Sequence, residues 1–438
     1  MLTSHKLPEN PTFISDFIVI IAFGIVQILA ASGLSALLAA ILYLSRINHI
    51  LKQTPNEIKQ LTSLVGGYIV LQLLARGTPP KSVRIVDIRG TERDDMRSGL
   101  ATQVDFVRAD ITSGVSAGKA FTKPWDHSIA HLPITVFHTV AVIVPSARSE
   151  YLYKFPEVVN VQGTRNVLAA SRAVGADVFS ATSSASIGIQ PHEEYFGNYA
   201  ASKAAAERLV YGENDASFRT GCIRPGNGVY DNPTDNPVGS LLSQRFHPTW
   251  VPHIVQSFVH GANVAVAHLY HEPVLAKGEC PQAGRPFVIT DPGPPIMFGD
   301  LYTDVRVLSV HRFRIVTVPP IIMLLLSVLV EWYILLSYRF PSLKKLLPEV
   351  KGDIKKLQPG LFSTCTHLVA FDNEARKSVR DGGLGYKGFV TTLEGVVMEI
   401  WGWNQEHSRQ SDGSTRKTYT TSVSLAEKLQ EFGSAVPL

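Results

Sequence analysis

The stretch Ala181-Thr182-Ser183-Ser184-Ala185-Ser186, followed by Tyr199-Ala200-Ala201-Ser202-Lys203, decides the reading of this chain. Tyr199 and Lys203 fall within Asn198 to Tyr211, a run rich in Ala, Lys, Glu and Leu that reads as a helix. Residues four apart on a helix share a face, so the phenol and the ammonium are neighbours. An ammonium beside a phenol favours the phenolate and lowers its pKa from about 10 toward working pH. Such a tyrosine can exchange a proton with an alcohol or ketone while hydride moves on the other side. Asp177-Val178-Phe179 opens a strand just upstream, so the serines follow a strand end, where a hydroxyl can hold the same substrate oxygen. Of 14 tyrosines, Tyr199 alone has a lysine at this spacing, and its place after a Thr-Ser-Ser strand end separates it from a solvated Tyr/Lys pair.

Outward from this cluster the chain alternates between strand and helix. Val83 to Ile88 looks like a strand ending in an acid; Val104 to Val107 and Ile134 to Phe137 are two more β-rich runs. Val158 to Val174 has helical spacing. Alternation of this kind implies βαβ units and a doubly wound parallel α/β sheet of Rossmann type, with ligands beyond the carboxyl ends of the strands. No repeat of solenoid period occurs.

Composition narrows the class. The 438 residues carry 41 basic and 37 acidic side chains, and a net charge of +4 over this length is too weak for a dedicated nucleic-acid face. Cys222, Cys280 and Cys365 are odd in number and far apart, so neither a disulfide framework nor a structural metal site is expected. Mean hydropathy of +0.10 points to membrane contact. From Phe17 to Leu44 no charged residue occurs over 28 positions, more than the roughly 20 needed to cross a bilayer. Lys6 precedes this segment, whereas Arg46, Lys52 and Lys59 follow it, which places the body on the cytoplasmic side. A second apolar stretch, 315–338, contains Pro319-Pro320 and Glu331 and is followed by Arg339, Lys344, Lys345, Lys351, Lys355 and Lys356. It reads as a segment in the lipid interface, with a buried core helix as the alternative. The expected organisation is a membrane anchor at 1–52, a dinucleotide-binding domain at 53–300, a substrate and membrane-associated region at 301–403, and a polar tail at 404–438.

Several motifs taken in order are similar to the extended short-chain dehydrogenase/reductase superfamily. They are Asn160-Val161-Gln162-Gly163-Thr164-Arg165-Asn166-Val167, Thr182-Ser183-Ser184, the Tyr199/Lys203 pair and Ile223-Arg224-Pro225-Gly226-Asn227. With Phe258-Val259-His260, Asn263-Val264-Ala265, Ala267-His268 and Leu384-Gly385-Tyr386-Lys387, the chain resembles the 3β-hydroxysteroid dehydrogenase/isomerase family over about residues 64 to 402, including sterol-4α-carboxylate 3-dehydrogenases. The resemblance implies Tyr199 as general acid/base, Lys203 as its partner and ribose ligand, Ser184 as holder of the substrate oxygen and Asn160 as a positioner of the proton-relay water. It implies that Gly66 lies at the dinucleotide loop, that Asp87 meets the ribose hydroxyls of NAD, that Asp110 and Ile111 meet adenine and that Pro225 flanks the nicotinamide. Arg89 leaves room for the NADP phosphate, so the cofactor is NAD or NADP. The implied substrate is a sterol or steroid-like lipid, the implied setting the endoplasmic reticulum membrane, with a homodimer or a complex of sterol enzymes as partners.

One part of the pattern is interrupted. The dinucleotide turn needs a strand and then glycines, so that backbone can approach a pyrophosphate at a helix N-terminus. Leu64-Val65-Gly66-Gly67-Tyr68-Ile69-Val70 matches only the end of that motif, and the earlier glycine positions fall on Gln60, Leu61, Thr62 and Ser63. Upstream, Lys52 to Lys59 is polar and contains Pro55, so no first strand is visible. Two origins compete: a gene model or splice form lacking a short segment, which we favour, or a chain that has lost cofactor affinity. The second leaves a membrane scaffold or lipid-binding pseudoenzyme as the rival function; a nucleotide-sugar epimerase or small-ketone reductase is a third reading.

Overall fold

The computed structural model describes residues 64–407, apart from 92, 188–194, 232–236, 278–279, 341–346, 349, 351–352 and 364. The expected anchor at 17–44, the segment 52–63 and the tail beyond 407 lie outside these residues. All elements described below belong to one compact unit.

Six parallel strands carry the architecture. β1 (Arg84–Asp87) pairs with β2 (Asp105–Arg108), Arg84 opposite Asp105. β3 (Thr135–His138), β4 (Val178–Thr182), β5 (Arg219–Pro225) and β6 (Pro286–Ile289) form a second sheet in the order β6-β5-β4-β3. The expected strands are each found within a few residues of their sequence positions. β4 and β5 are buried along most of their length because helices cover both of their faces.

On one face lie α2 (Gly114–Thr122), α3 (Gly163–Ala173) and α4 (Asn198–Gly212). Val167, Leu168 and Val210 there close over Phe179 and Cys222. On the other face lie α1 (Leu64–Ala75) and α5 (Gly261–Leu275), which cover Ile223, Phe287 and Ile289. α5 is buried almost all round, and its small residues Gly261, Ala262, Ala265 and Ala267 let it lie close to the sheet. A further core around Tyr230, Phe258, Leu301 and Trp403 joins α6 (Phe298–Leu308) to α8 (Thr392–His407). Between α6 and α8 runs α7 (Pro320–Arg339), 20 residues long and largely exposed.

Among the described residues the two sheets are not hydrogen-bonded to each other. In a doubly wound sheet the first strand stands between the second and the fourth. With β1 and β2 in the places of the second and third strands and β3 in that of the fourth, the break falls where the interrupted motif puts it. Helix α1 is therefore held from the side. A Cβ on Gly261 would meet Leu64 and Tyr68 at 3.1 Å, so any larger residue there must push these side chains back. The Tyr68 hydroxyl bonds to the Asp231 carboxylate, which lies 3.1 Å from Nε2 of the fully buried His260. Arg93 stacks 4.2 Å above the Tyr68 ring, donates to the Leu64 carbonyl at 3.1 Å and pairs with Asp95 at 2.6 Å. Asp231 accepts a positive φ of 88° to reach this position, a conformation that costs a non-glycine residue free energy.

If α5 rather than a strand holds α1, Gly261→Val should lower stability by about 1–3 kcal/mol through overpacking. The urea unfolding midpoint reads this directly, with Gly261→Ala expected between wild type and valine.

Candidate active site

The carboxyl ends of the strands gather the residues that the sequence singled out. α4 presents Tyr199 and Lys203 on the same inward face, because it starts at Asn198 and keeps an Ala-rich repeat through Ala206. Tyr199 is hydrogen-bonded to Ser184, two residues beyond β4. The Ser184 hydroxyl also lies 2.7 Å from Ser186 Oγ. Lys203 Nζ donates to the Thr182 carbonyl at 2.6 Å. Pro225 ends β5, and its carbonyl accepts from the Ala185 N–H at 2.9 Å, which fixes the serine turn against the next strand.

The electrostatics differ from the sequence expectation in one respect. Burial pushes the Tyr199 phenol up to about 12, and the Ser184 hydrogen bond offsets only part of that. The expected lowering by Lys203 does not operate here, since the ammonium is turned to the Thr182 carbonyl. Burial lowers Lys203 itself to about 8, with Cys222 and Glu207 acting in the other direction. The tyrosine in this state is a proton donor at rest and becomes a base only when charge near it changes. His138, at the end of β3, is likewise held neutral, lowered to about 3 by burial and then by the Lys203 charge.

Asn160 lies in a π-helical turn, Glu157–Gln162, directly before α3. Its amide is fully engaged: the oxygen accepts from Val142 N–H at 2.7 Å, and the nitrogen donates to the Val142 carbonyl at 3.0 Å and to Ser202 Oγ at 2.9 Å. Ser202 in turn donates to the Tyr199 carbonyl at 2.8 Å. The side chain implied as a water positioner thus clamps the loop after β3 to the catalytic helix. The sequence reading gave no role to Ser202 or Val142; the serine between the tyrosine and the lysine was visible in the motif, whereas a backbone partner leaves no sequence signal.

On the second sheet, Asp87 ends β1 and accepts from Arg89 N–H at 3.0 Å. Burial raises its carboxyl, with backbone donors and Arg89 opposing. Asp110 follows β2 and accepts from Thr112 N–H and Oγ1 at 2.9 and 2.8 Å. Ile111 is buried against Gly163, where a Cβ would meet it at 2.8 Å. Gly66 is the third residue of α1. These residues share the carboxyl edge with the catalytic cluster but sit across the break in the sheet.

The sequence model of the 3-beta hydroxysteroid dehydrogenase/isomerase family matches residues 62–307, more than half of the chain. The chain belongs to that family. It is similar to short-chain dehydrogenase/reductase family 42E member 1 of Danio rerio, 24% identical over 79% of this chain and 89% of that protein. It also resembles 3 beta-hydroxysteroid dehydrogenase/Delta 5-->4-isomerase of Mycobacterium tuberculosis, 29% identical over 37% of this chain and 50% of that one. A 3beta-hydroxysteroid-dehydrogenase/decarboxylase of Arabidopsis thaliana is 26% identical over 71% and 53%. Among solved structures, UDP-glucose 4-epimerase of Thermus thermophilus in complex with NAD aligns over 80% of this chain and 96% of its own, with a TM-score of 0.51 and 20% identity. At that identity it shows the shared α/β fold alone. Membership makes the chain one of an NAD(P)-dependent oxidoreductase family.

The residues present fit one side of that cofactor. Ser183 Oγ is buried at the end of β4 with no hydrogen-bond partner among the described residues, as expected of an edge built for a ligand. Lys203, Tyr199 and Pro225 would hold the nicotinamide riboside, and Asp87 the adenosine ribose. The glycine turn for the pyrophosphate would lie in 60–66, mostly outside the described residues.

Lys203 supplies a test with a definite sign. Its folded pKa, about 8, lies below the unfolded value near 10.5. Between these limits the unfolded chain binds more protons, so this group makes stability rise with pH from about 8 to about 10.5; the penalty of burying its charge is complete below pH 8. Lys203→Met should flatten the slope of unfolding free energy against pH in that window by about one proton, measured by urea unfolding at several pH values.

Proposed function

We propose that this chain oxidises a 3β-hydroxyl on a sterol or steroid-like lipid at a membrane surface. The observation that carries this reading is the Ser184–Tyr199 hydrogen bond at the end of β4, with Lys203 one turn along the same helix. Ser184 and Tyr199 together hold the oxygen of the substrate alcohol. Tyr199 first gives up its own proton to solvent, a loss eased by the neighbouring ammonium once Lys203 leaves the Thr182 carbonyl, and as the carbinol C–H breaks the hydroxyl proton passes to the phenolate so formed. NAD(P)+, when bound, accepts the hydride. Asn160 keeps the helix and the loop after β3 in register while this happens. Where the substrate carries a carboxylate on the adjacent carbon, the product is a β-keto acid, which loses CO2 into the new ketone without a further catalytic group.

An apolar substrate accounts for the exposed helix α7, which lets a lipid approach without crossing water. The charge asymmetry around 17–44 supports a single-pass anchor with the body in the cytoplasm, and the family resemblance favours the endoplasmic reticulum membrane as its setting. The broken sheet favours one alternative outcome, a lipid-binding scaffold whose hold on the cofactor is weak. A pyrophosphate that loses two charge-assisted backbone hydrogen bonds binds about 100-fold less tightly.

Titration calorimetry of the detergent-purified chain with NAD+ and NADP+ tests both. We expect weak binding, tightened at least about 100-fold by inserting a strand and glycine turn after Lys52. Sterol oxidation should then appear and be lost in Tyr199→Phe. Failure of the repaired chain to bind either nucleotide would leave the scaffold reading.

A further inference from the structure

Helix α7 carries one charged side chain between Pro320 and Arg339, and that side chain is buried. Glu331 is 7% exposed, in line with the buried Met323, Ser327 and Val330 on the face turned to the protein. The opposite face leaves Ile321, Leu325, Leu329 and Trp332 open to solvent, with Trp332 65% exposed. One face against protein and one apolar face outward describes a helix lying along a bilayer surface rather than crossing it. Exposed Arg312 and Arg314 precede it and exposed Arg339 closes it, charges that complement anionic lipid headgroups.

The partner of Glu331 lies in the loop against the start of the catalytic helix. Arg148 meets it in a two-pronged ion pair, Nε to Oε1 at 3.0 Å and Nη2 to Oε2 at 2.9 Å. Bidentate pairing of this kind fixes orientation as well as charge. Residues on either side of Arg148 cap the catalytic helix: the Ala147 carbonyl accepts from Asn198 N–H at 2.9 Å, and the Ser149 carbonyl accepts from Asn198 Nδ2 at 2.8 Å. The guanidinium also faces the ring of Phe196, two residues before that helix, at 5.6 Å. Tyr199 is the next residue after Asn198. An unbroken chain of contacts therefore runs from the outward apolar helix through Glu331, Arg148 and the 147–149 backbone to the first turn under Tyr199.

We propose that Arg148 and Glu331 are positioning residues which couple docking of α7 on a phospholipid bilayer to the placement of Tyr199. The coupling rests on the reading of Tyr199 as the acid/base and of α7 as lipid-facing. A bilayer that seats α7 presses Glu331 onto Arg148, stiffens the 147–149 loop and orders the start of α4, so that the catalytic turn is firm where the lipid substrate arrives.

The test is hydrogen exchange of the full chain, with and without phosphatidylcholine vesicles containing phosphatidylserine, alongside vesicle cosedimentation. Wild type is expected to cosediment, and vesicles should slow exchange at Asn198 and Ala201 about tenfold. Glu331→Gln and Arg148→Met should cosediment equally but lose that slowing, and the reversed pair, Arg148→Glu with Glu331→Arg, should restore it. Equal slowing in both single variants would overturn the coupling. Failure of wild type to cosediment would overturn the lipid-facing reading and the coupling with it, while the reading of Tyr199 stays separately decided by nucleotide titration and the Tyr199→Phe assay.

Discussion

The docking of α1 against α5 is the contact on which the joining of the two sheets depends. In a complete dinucleotide fold, the first helix packs over the strand that precedes it and the sheet is continuous beneath. Among the described residues β1 and β2 stand apart from the four strands β3 to β6, and α1 is kept in place by Gly261, by the Tyr68–Asp231–His260 contacts and by Arg93 above the tyrosine ring. These are buried polar ties, which break sharply when one partner is lost because the other is left desolvated. They do not replace the backbone ladder of a central strand. The two halves of the cofactor edge are thus joined through side chains and helices.

The catalytic half does not depend on that junction. Ser184 follows β4, Pro225 ends β5, and the Asn160 amide clamps the loop at Val142 to Ser202 on the helix that carries Tyr199 and Lys203. All of these lie on the continuous four-stranded sheet. Asp87, Asp110 and Ile111 lie on the smaller one. A chain built this way keeps its proton chemistry in order and is weakest where the pyrophosphate needs backbone on both sides, which is why cofactor affinity is the property expected to suffer first.

Much of this was legible in the sequence. Strand alternation and the Tyr-x-x-x-Lys spacing placed β1 to β4, α4 and the cluster at their carboxyl ends, because period and propensity act locally. The interruption at 60–66 was legible for the same reason: glycines are either present or absent. What was not legible depends on distant partners. The raised phenol of Tyr199 follows from burial and from Lys203 choosing a carbonyl, and neither is encoded in spacing. Asn160 acting as a clamp requires a backbone partner 18 residues away and a serine 42 residues away. Glu331 is only a carboxylate within an apolar stretch in the sequence; its partner, Arg148, lies 183 residues earlier in the chain.

Native-state hydrogen exchange on the strands tests the divided sheet most directly. Amides of Arg84–Asp87 and Asp105–Arg108 should exchange as one unit, about 100-fold faster than those of Val178–Thr182 and Arg219–Arg224, because a two-stranded ladder opens at lower free energy than a four-stranded one. Equal protection across all four strands would show one cooperative sheet and contradict the account.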